Sequence, residues 1–443
     1  MLSNTTLTPW QKVLEGLSAE GFWWMTGFEG SNIPQIEADE YEWTQHYSNW
    51  TQDLALVRHK LGVRHLRYTL PWQKLNPASG YFEWDWADRL IDWAERLGLE
   101  LVANPIHFGT PLWLKDSFGN PDFPQYAAEV FSQLAHRYRD RLKFYTPHNE
   151  PLITALFGGD FGHWPPYWEG HKNYVKLLTN ICRQIVLSVE AVRAELPEAV
   201  MIHVDAGEYY ATHRSEAWLH EEVQFRNERR FLGYDLISGR VGSQHRLRGW
   251  LEQQGVEDNT LAWFQRRAIE LDVVGVDFYP HCEVWLDIQD GEIVEQRDHG
   301  HAIIQAFAAS GDSKQVSEMV NLPISLSGLL RQYYERYQRP IMLTETDYCG
   351  QNDDKVLYMQ YGVQEIRRLR ESGVPVLGYT WWPALDHLNW DKALKERGHI
   401  HPVGLWELVP DPDGRLERVE TSAVQAFQDL VTHPQAAIGT VVT

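Results

Sequence analysis

The sequence predicts a single-domain α/β protein folded as a (β/α)8 TIM barrel. Eight apolar segments of strand length alternate with segments of helical apolar spacing along the 443 residues. Several of the strand-like segments are continuously apolar, as is typical of parallel strands covered on both faces. No composition break, linker or fixed-period repeat divides the chain, so residues 1–443 are predicted to form one domain. Such alternation favours a closed parallel barrel over an open sheet.

The strands are predicted where short apolar runs end at glycine, proline or a polar residue. In chain order they cover residues 21–27, 63–70, 99–106, 142–148, 200–205, 271–279, 340–346 and 374–382. Helices are predicted from apolar spacing of three and four residues, and several end at a glycine. They cover residues 43–61, 85–97, 125–139, 173–195, 215–237, 322–337, 354–371 and 421–431.

Residues 281–321 show the least regular pattern and are predicted to form a longer irregular insertion. Within them, Asp290-Gly291 is a hairpin-turn signal, because both residue types tolerate positive φ angles. The dipeptide lies between the apolar runs Val284-Trp285-Leu286 and Ile293-Val294, which the turn would join.

Composition limits the classes of ligand. There are 61 acidic and 40 basic residues, a formal charge of −21, so the surface repels phosphate backbones and nucleic-acid binding is not expected. The 20 Trp and 20 Tyr favour a small carbohydrate or glycoside ligand, because indole faces stack on the apolar faces of sugars. Neither a metal nor an organic cofactor is predicted.

Cysteine usage and apolar run lengths predict a cytoplasmic protein without a membrane span. The three cysteines lack the spacing of a metal site or a disulfide framework, which favours a reducing compartment. Residues 1–20 contain no basic segment followed by an apolar run, so no signal peptide is expected. No stretch approaches the ~20 apolar residues of a membrane-spanning helix.

Polar residues collect where the predicted strands end, which is where barrel enzymes place their active sites. Glu150 follows strand four within His148-Asn149-Glu150-Pro151, and Glu345 closes strand seven. Two carboxyl groups facing each other across a barrel mouth can act as acid and nucleophile on a glycosidic bond. Each residue taken alone also has a purely structural interpretation. The other polar or aromatic strand-end residues are Arg67, His107, Tyr279 and Trp382.

Four motifs on these strands resemble those of the family 1 glycoside hydrolases, the β-glucosidase-like enzymes built on a (β/α)8 barrel. Asn149-Glu150-Pro151 is similar to the family's acid/base motif, and Leu343-Thr344-Glu345-Thr346 to its nucleophile motif. Residues 67–72 resemble the signature of strand two, and residues 378–386 that of strand eight. The resemblance covers nearly the whole chain and implies a retaining β-glycosidase that works by double displacement through a covalent glycosyl-enzyme.

The resemblance also implies individual roles. Glu150 would be the acid/base and needs a raised pKa, while Glu345 would be the nucleophile, kept ionised by a nearby cation. Asn149 would bind the sugar 2-hydroxyl. The remaining implied roles are flanking of the nucleophile by Arg67 and Tyr279, contact with a sugar hydroxyl by His107, and a floor under the sugar ring formed by Trp382.

Several positions depart from the family pattern. Gly27 stands where the family has a sugar-gripping glutamine, and Asn389, before Trp390, stands where it has a glutamate. Asp277 replaces a usual asparagine, and Thr346-Asp347 replaces Asn-Gly after the nucleophile. The catalytic groups are retained while the sugar contacts change, so the sugar itself stays open. The candidates to take over recognition are Glu29, His46, Asp386 and Asn389 together with Trp390.

Two other functions use the same residues. A transglycosidase would employ Glu150 and Glu345 but pass the sugar to an alcohol, and the abundant Trp could build an apolar acceptor site. A non-catalytic sugar-binding barrel is the third possibility. The joint presence of Glu150, Glu345, Arg67 and Tyr279 argues against it, because a binding protein has no need for all four.

Overall fold

The structure is a computed structural model that describes residues 21–396, 398–434 and 438. No helix in these ranges combines the length and the apolarity needed to cross a membrane. The expected absence of a signal peptide concerns residues 1–20, which lie outside the described ranges.

Eight parallel strands close into a barrel, which confirms the predicted fold class. Each strand pairs with the next along the chain, and the first also pairs with the last. The barrel strands are β1 Trp23–Gly27, β2 His65–Thr69, β3 Glu100–Asn104, β4 Phe144–Tyr145, β5 Val200–Ala206, β6 Val273–Asp277, β7 Ile341–Glu345 and β8 Val376–Trp381.

The strands are continuously apolar because both of their faces are buried. On β5, Ile202 and Val204 point into the barrel interior, while Met201 belongs to the outer core against the helices. Interior residues from seven of the strands form one cluster, so the barrel is a packed core below its mouth. The cluster consists of Trp23, Met25, Val102, Phe144, Val200, Ile202, Val204, Val273, Met342 and Leu377.

The helices form the outer layer, and most lie within a few residues of their predicted bounds. The helix predicted for residues 43–61 is interrupted after Trp43 and ends in a π-helical turn over Val57–Leu61, and the one for residues 215–237 is divided in two. The α-helices are Glu40–Trp43, His46–Leu56, Trp72–Leu75, Asp85–Leu97, Phe123–Arg137, Pro151–Ala155, His171–Glu195, Ala217–Arg229, Leu232–Ile237, Arg248–Gln253, Asp258–Arg266, Gly300–Ser310, Ser313–Val320, Leu326–Tyr337, Asn352–Glu371 and Ser422–Thr432.

Strand β4 is much shorter than predicted. Only Phe144–Tyr145 forms ladder pairs, because Pro147 has no N–H to continue them. The chain nevertheless stays beside β3, since the Asn149 N–H donates to the Ile106 carbonyl at 3.0 Å. This bond carries the segment on to the barrel mouth, where Glu150 follows.

Residues 281–321 contain the hairpin that Asp290-Gly291 predicts, but the rest of the segment is regular rather than irregular. The segment contains a hairpin, Glu283–Gln289 with Glu292–Gln296, that turns at Asp290-Gly291 with φ angles of 51° and 86°. Two helices, Gly300–Ser310 and Ser313–Val320, follow it. The hairpin is ordered by a small apolar cluster of its own, which sequence periodicity could not reveal because half of its members lie elsewhere. That cluster consists of Tyr210, Leu219, Val284 and Leu286.

Candidate active site

A cavity of about 770 Å³ opens at the carboxyl ends of the barrel strands. It is lined by Glu150, Tyr279, Glu345 and Trp382, which follow or close four different strands. Parallel strands all end on the same side of a barrel, so these side chains meet although they are far apart in sequence. The volume lies within the ~300–1,000 Å³ range of small-molecule sites.

Glu150 is placed by an unusual backbone conformation. Its φ and ψ angles are 42° and 72°, in the left-handed region, immediately before the helix Pro151–Ala155. Such a conformation costs an L-residue about 1–2 kcal/mol. The side chain is 7 % exposed and reaches the cavity. Strain of this kind is concentrated at functional sites, so it supports a chemical role for Glu150.

Glu345 is held by two donors on opposite oxygens. The Tyr279 hydroxyl donates to Oε2 at 2.5 Å, and Arg67 Nη1 donates to Oε1. Arg67 Nη2 in turn donates to Asn149 Oδ1, so one guanidinium connects Glu345 to Asn149. The structure thus brings together all the residues to which the sequence assigned a catalytic or supporting role.

Three carboxyl groups crowd the centre of the site. Glu150, Asp277 and Glu345 each offer an oxygen within 4.8 Å of the others. Inverting glycosidases hold their two carboxyl groups ~6.5–9.5 Å apart to leave room for a water, and retaining ones hold them closer, so carboxyl oxygens this near to each other favour the retaining arrangement. The cluster is dense enough to hold a cation, but Arg67 already supplies a positive charge to it.

The carboxyl groups of Glu150 and Glu345 differ in their hydrogen bonds and in the charges around them. Burial, together with the carboxylates of Asp277 and Glu345, raises the pKa of Glu150 well above its ordinary value. Burial and Asp277 raise the pKa of Glu345 to about 8, while Arg67 acts in the opposite direction and favours the ionised carboxylate. Glu345 still receives two hydrogen bonds, whereas no described residue donates to the Glu150 carboxyl. Glu345 therefore ionises first, and Glu150 retains the proton.

Glu29, His107 and Trp382 form a connected group in the cavity lining. Trp382 Nε1 donates to Glu29 Oε2 at 2.8 Å, and His107 Nε2 lies 3.2 Å from Glu29 Oε1. The N–H and hydroxyl of Ser31 donate to the same Oε1 at 2.9 and 2.6 Å. All Glu29 oxygens are thus occupied by protein donors, which makes Glu29 a support for Trp382 and His107.

The expectation that His46 takes part in sugar recognition is wrong. Its ring nitrogens lie 2.7 Å from Asp53 Oδ2 and 2.6 Å from the Tyr68 hydroxyl, and its side chain is fully buried. His46 does not line the cavity. It is a satisfied core histidine.

Asp386 and Asn389 also differ from expectation, because the backbone satisfies both side chains. Asp386 accepts the N–H groups of Gly404 and Leu408 at 2.8 and 3.1 Å, and Asn389 Oδ1 accepts that of His399 at 3.1 Å. Neither residue lines the cavity, so their expected contact with the sugar is wrong. Both hold the loop that follows β8.

The outer wall of the cavity contains residues for which the sequence predicts no functional role. This wall comes from the helix Ala217–Arg229 and the hairpin of residues 283–296, and its charges are paired across elements. Arg226 donates to Glu295 at 2.5 Å, and Arg297 donates to Glu208 at 2.8 Å. No local sequence signal marks these residues, since only the tertiary contacts bring them to the cavity.

Comparison with known proteins agrees with this geometry. The sequence model described as glycosyl hydrolase family 1 matches residues 28–435. The chain belongs to this family. Membership makes it an O-glycosyl hydrolase of the β-glycosidase type.

The sequence identity between this chain and individual relatives is low. It is 21 % identical to a protein named β-glucosidase A of Thermotoga maritima over 371 residues, covering 80 % of each chain. It is 25 % identical to a 6-phospho-β-glucosidase of Dickeya chrysanthemi, covering 78 % of this chain and 77 % of the relative. A solved structure of the family 1 β-glucosidase from Thermotoga maritima superposes with a TM-score of 0.75 at 18 % identity, covering 93 % and 98 %.

The departure at Gly27 has a steric explanation. A Cβ atom there would lie 2.1 Å from Trp382 Cζ3 and 2.7 Å from the Arg67 carbonyl oxygen. The Trp382 ring therefore occupies the space that the glutamine side chain of the family pattern would need. Glu29 fixes the ring in this position through Nε1.

We expect Gly27→Ala to displace the Trp382 ring, because the backbone oxygen of Arg67 cannot yield. Melting temperature should fall, and kcat/KM for the best glycoside substrate should fall at least about tenfold, the scale of small-to-large changes in a packed site. Gly249→Ala is the matched control, since nothing lies within 4 Å of its added Cβ. Wild-type stability and kcat/KM in Gly27→Ala would contradict the steric explanation.

We expect Asp277→Asn to move the pH profile of kcat/KM to lower pH. The negative charge of Asp277 raises the pKa of both Glu150 and Glu345. Removing this charge should therefore move both the ascending and the descending limb of the profile to lower pH. Burial raises the pKa of Asp277 itself to about 7, so the charge is present mainly above that pH and the descending limb should move more.

The same substitution has a stability readout. A buried carboxyl with a raised pKa holds its proton more tightly in the folded state, so it removes stability as pH rises from its unfolded value towards about 7. Between pH 4.5 and pH 7.5, the melting temperature of Asp277→Asn should therefore change less than that of the wild type. Identical pH profiles and identical stability curves would exclude this role of Asp277.

Proposed function

We propose that the protein is a retaining β-glycosidase in which Glu150 is the acid/base and Glu345 the nucleophile. The observation that carries this proposal is the asymmetric carboxyl pair. The two groups lie within 4.8 Å, and only Glu345 is held by Arg67 and Tyr279. A close pair with one proton on one partner is the arrangement that double displacement requires.

In the first step, Glu345 attacks the anomeric carbon while Glu150 gives its proton to the glycosidic oxygen. The carbon–oxygen bond breaks, the aglycone leaves as an alcohol, and the sugar becomes an ester of Glu345. Arg67 and Tyr279 orient the attacking carboxylate through their hydrogen bonds. The protonated state of Glu150 fits this step, because a raised pKa keeps an acid available near neutral pH.

In the second step, Glu150 works as a base. Once Glu345 is esterified, its negative charge is gone, and one of the causes of the raised Glu150 pKa disappears. The Glu150 carboxylate then takes a proton from water, and the water oxygen attacks the anomeric carbon and releases Glu345. The enzyme returns to its starting protonation state.

Asn149 is the proposed contact to the sugar 2-hydroxyl. Arg67 holds the amide oxygen, and the amide nitrogen lies 3.2 Å from His107 Nε2. This leaves the N–H2 group on the side of His107, where we place the hydroxyl. β-Glucosides are the first substrates to test, since several relatives are named β-glucosidases.

We also propose that the protein is located in the cytoplasm. Cys182, Cys282 and Cys349 are all free in the structure, and two of them are buried. Free thiols are typical of proteins kept in a reducing compartment.

Transfer of the sugar to an alcohol is the second candidate function, favoured by one wall of the cavity. This wall is apolar and aromatic, so it suits an organic acceptor better than water alone. It is formed by Phe108, Ile153, Leu156, Phe157, Phe161 and Trp390.

We expect Glu345→Gln to lower kcat by about 10⁴-fold or more on every aryl β-glycoside, because no glycosyl-enzyme can form. Glu150→Gln should lose about 10²–10⁴-fold on alkyl glycosides, whose leaving groups need a proton, and much less in the first step on dinitrophenyl glycosides, whose leaving groups do not. Initial rates over an aryl and alkyl β-glycoside panel provide the measurement.

The exposed pair Glu371→Gln and Glu83→Gln serves as the control for carboxyl loss, since both residues are exposed helix-end or loop residues. Full activity of Glu345→Gln would exclude it as the nucleophile. Retention itself is read from the anomer first released, which proton NMR detects directly. Release of the inverted anomer would contradict double displacement.

If the protein transfers the sugar to alcohols, an added alcohol should change the ratio of new glycosides to free sugar among the products. Adding hexanol or benzyl alcohol to the wild type should divert most of the sugar into new glycosides if the aromatic wall binds the acceptor, and Phe157→Ala should reverse this. Product ratios by chromatography give the measurement. If free sugar stays the main product at all alcohol concentrations, the protein acts as a hydrolase.

A further inference from the structure

The inner end of the cavity lacks both sugar-gripping groups of the family pattern. At position 27 there is no side chain, and the Trp382 ring fills the space. Asn389 stands in place of the glutamate, and its oxygen is used by the His399 N–H. A sugar buried there still requires acceptors for its hydroxyls, because a buried donor without a partner costs binding free energy.

Asp347 offers such an acceptor. It follows the proposed nucleophile by two residues, is only 8 % exposed, and lines the same cavity as Glu345 and Trp382. In the described part of the chain, no residue donates a hydrogen bond to its carboxyl group. Buried carboxyl groups are usually satisfied by protein donors or water, so a carboxyl that faces a cavity and has no protein donor is available to the hydroxyls of a ligand.

Lys355, which is buried on the helix Asn352–Glu371, does not form an ion pair with Asp347 within 4.0 Å. Lys355 is buried, but its Nζ donates to the Gly404 carbonyl at 2.9 Å and lies 4.0 Å from Asp386. Lys355 therefore serves the loop after β8. Burial and the Glu345 carboxylate raise the pKa of Asp347, and the more distant charge of Lys355 offsets this rise only in part.

The charge of the cavity limits the class of sugar. Its inner end carries the carboxyl groups of Glu29, Glu150, Glu345 and Asp347, and no lysine is among the described lining residues. Three arginines do line the cavity, but they belong to the outer wall and lie beside carboxylates. A phosphate group at the inner end would lie beside these carboxyl groups, and contacts between like charges disfavour binding.

We propose that Asp347 is the glycone-recognition carboxylate of this enzyme and that it binds two neighbouring hydroxyls of an unphosphorylated sugar. The inference rests on the proposed function, since it adds the substrate class to the same site. Two hydroxyl donors stabilise the ionised carboxylate and satisfy both of its oxygens at once. Asp347, which follows β7, thereby supplies hydrogen-bond acceptors in place of those missing at positions 27 and 389.

The test compares wild type and Asp347→Asn on aryl β-glycosides with and without a 6-phosphate. The wild type should prefer the unphosphorylated substrates. Asp347→Asn should raise their KM about 10- to 100-fold, the scale of a hydrogen-bonded charged group, with kcat within about threefold. Asp353→Asn is the control, because this nearby carboxyl is exposed and lies outside the cavity.

A second measurement does not depend on turnover. Isothermal titration calorimetry of methyl β-glycosides and their 3-, 4- and 6-deoxy analogues is carried out on Glu345→Gln, with and without Asp347→Asn. If Asp347 binds a hydroxyl pair, removing either hydroxyl weakens binding to Glu345→Gln. The same removal should then cause little further loss in the double variant.

The outcomes separate the two proposals. Unchanged KM and unchanged binding in Asp347→Asn, or a preference of the wild type for 6-phosphorylated substrates, overturns the role of Asp347 while hydrolysis stands. Binding that is weakened by Asp347→Asn without turnover of any glycoside supports the recognition site and overturns the hydrolase. If no glycoside binds or reacts, both proposals are wrong.

Discussion

One buried guanidinium connects the parts of the active site. Arg67 projects from β2, donates to Glu345 at the end of β7 and to Asn149 beyond β4, and lies 5.0 Å from the centre of the Trp382 ring. It is also the positive charge that offsets the carboxyl cluster. Breaking a buried pair by removing one partner typically costs about 3–5 kcal/mol, because the other charge is then left uncompensated. A single side chain, that of Arg67, therefore contacts Glu345, Asn149 and Trp382 together.

The register of the barrel strands explains why the departure from the family pattern at Gly27 concerns Arg67 and Trp382 as well. Gly27 pairs with Arg67 across β1 and β2, so any side chain at position 27 would project beside the guanidinium. Without one, the Trp382 ring packs against the strand and is fixed by Glu29. The same glycine thus leaves no acceptor at position 27 and makes room for the ring that forms the floor of the cavity. The charged side chains at the inner end of the cavity lining are carboxyl groups, so the choice of sugar depends on electrostatics as well as on shape.

The strand-end residues could be predicted because their positions follow from simple constraints. Parallel strands buried on both faces are apolar throughout, so a glutamate or arginine within them is conspicuous. Asp386 and Asn389 could not be interpreted correctly in the same way. They lie in a loop whose backbone donors come from Gly404, Leu408 and His399, and nothing in the local sequence shows where those donors will be. The apolar support of the hairpin of residues 283–296 could not be predicted for a similar reason, since its partners Tyr210 and Leu219 precede it by more than sixty residues.

By itself, the sequence determined the barrel, its strand order and the family, because apolar periodicity and short motifs are local properties of the chain. Only the tertiary structure decided which polar groups are free to meet a ligand. Glu29 and Asp386 read as binding residues in the sequence, yet protein donors use both of their carboxyl groups. Asp347 read as a mere departure from a motif, yet its buried carboxyl faces the cavity. The physical reason is that hydrogen-bond satisfaction depends on distant backbone and side-chain donors, whose positions are set only when the barrel closes.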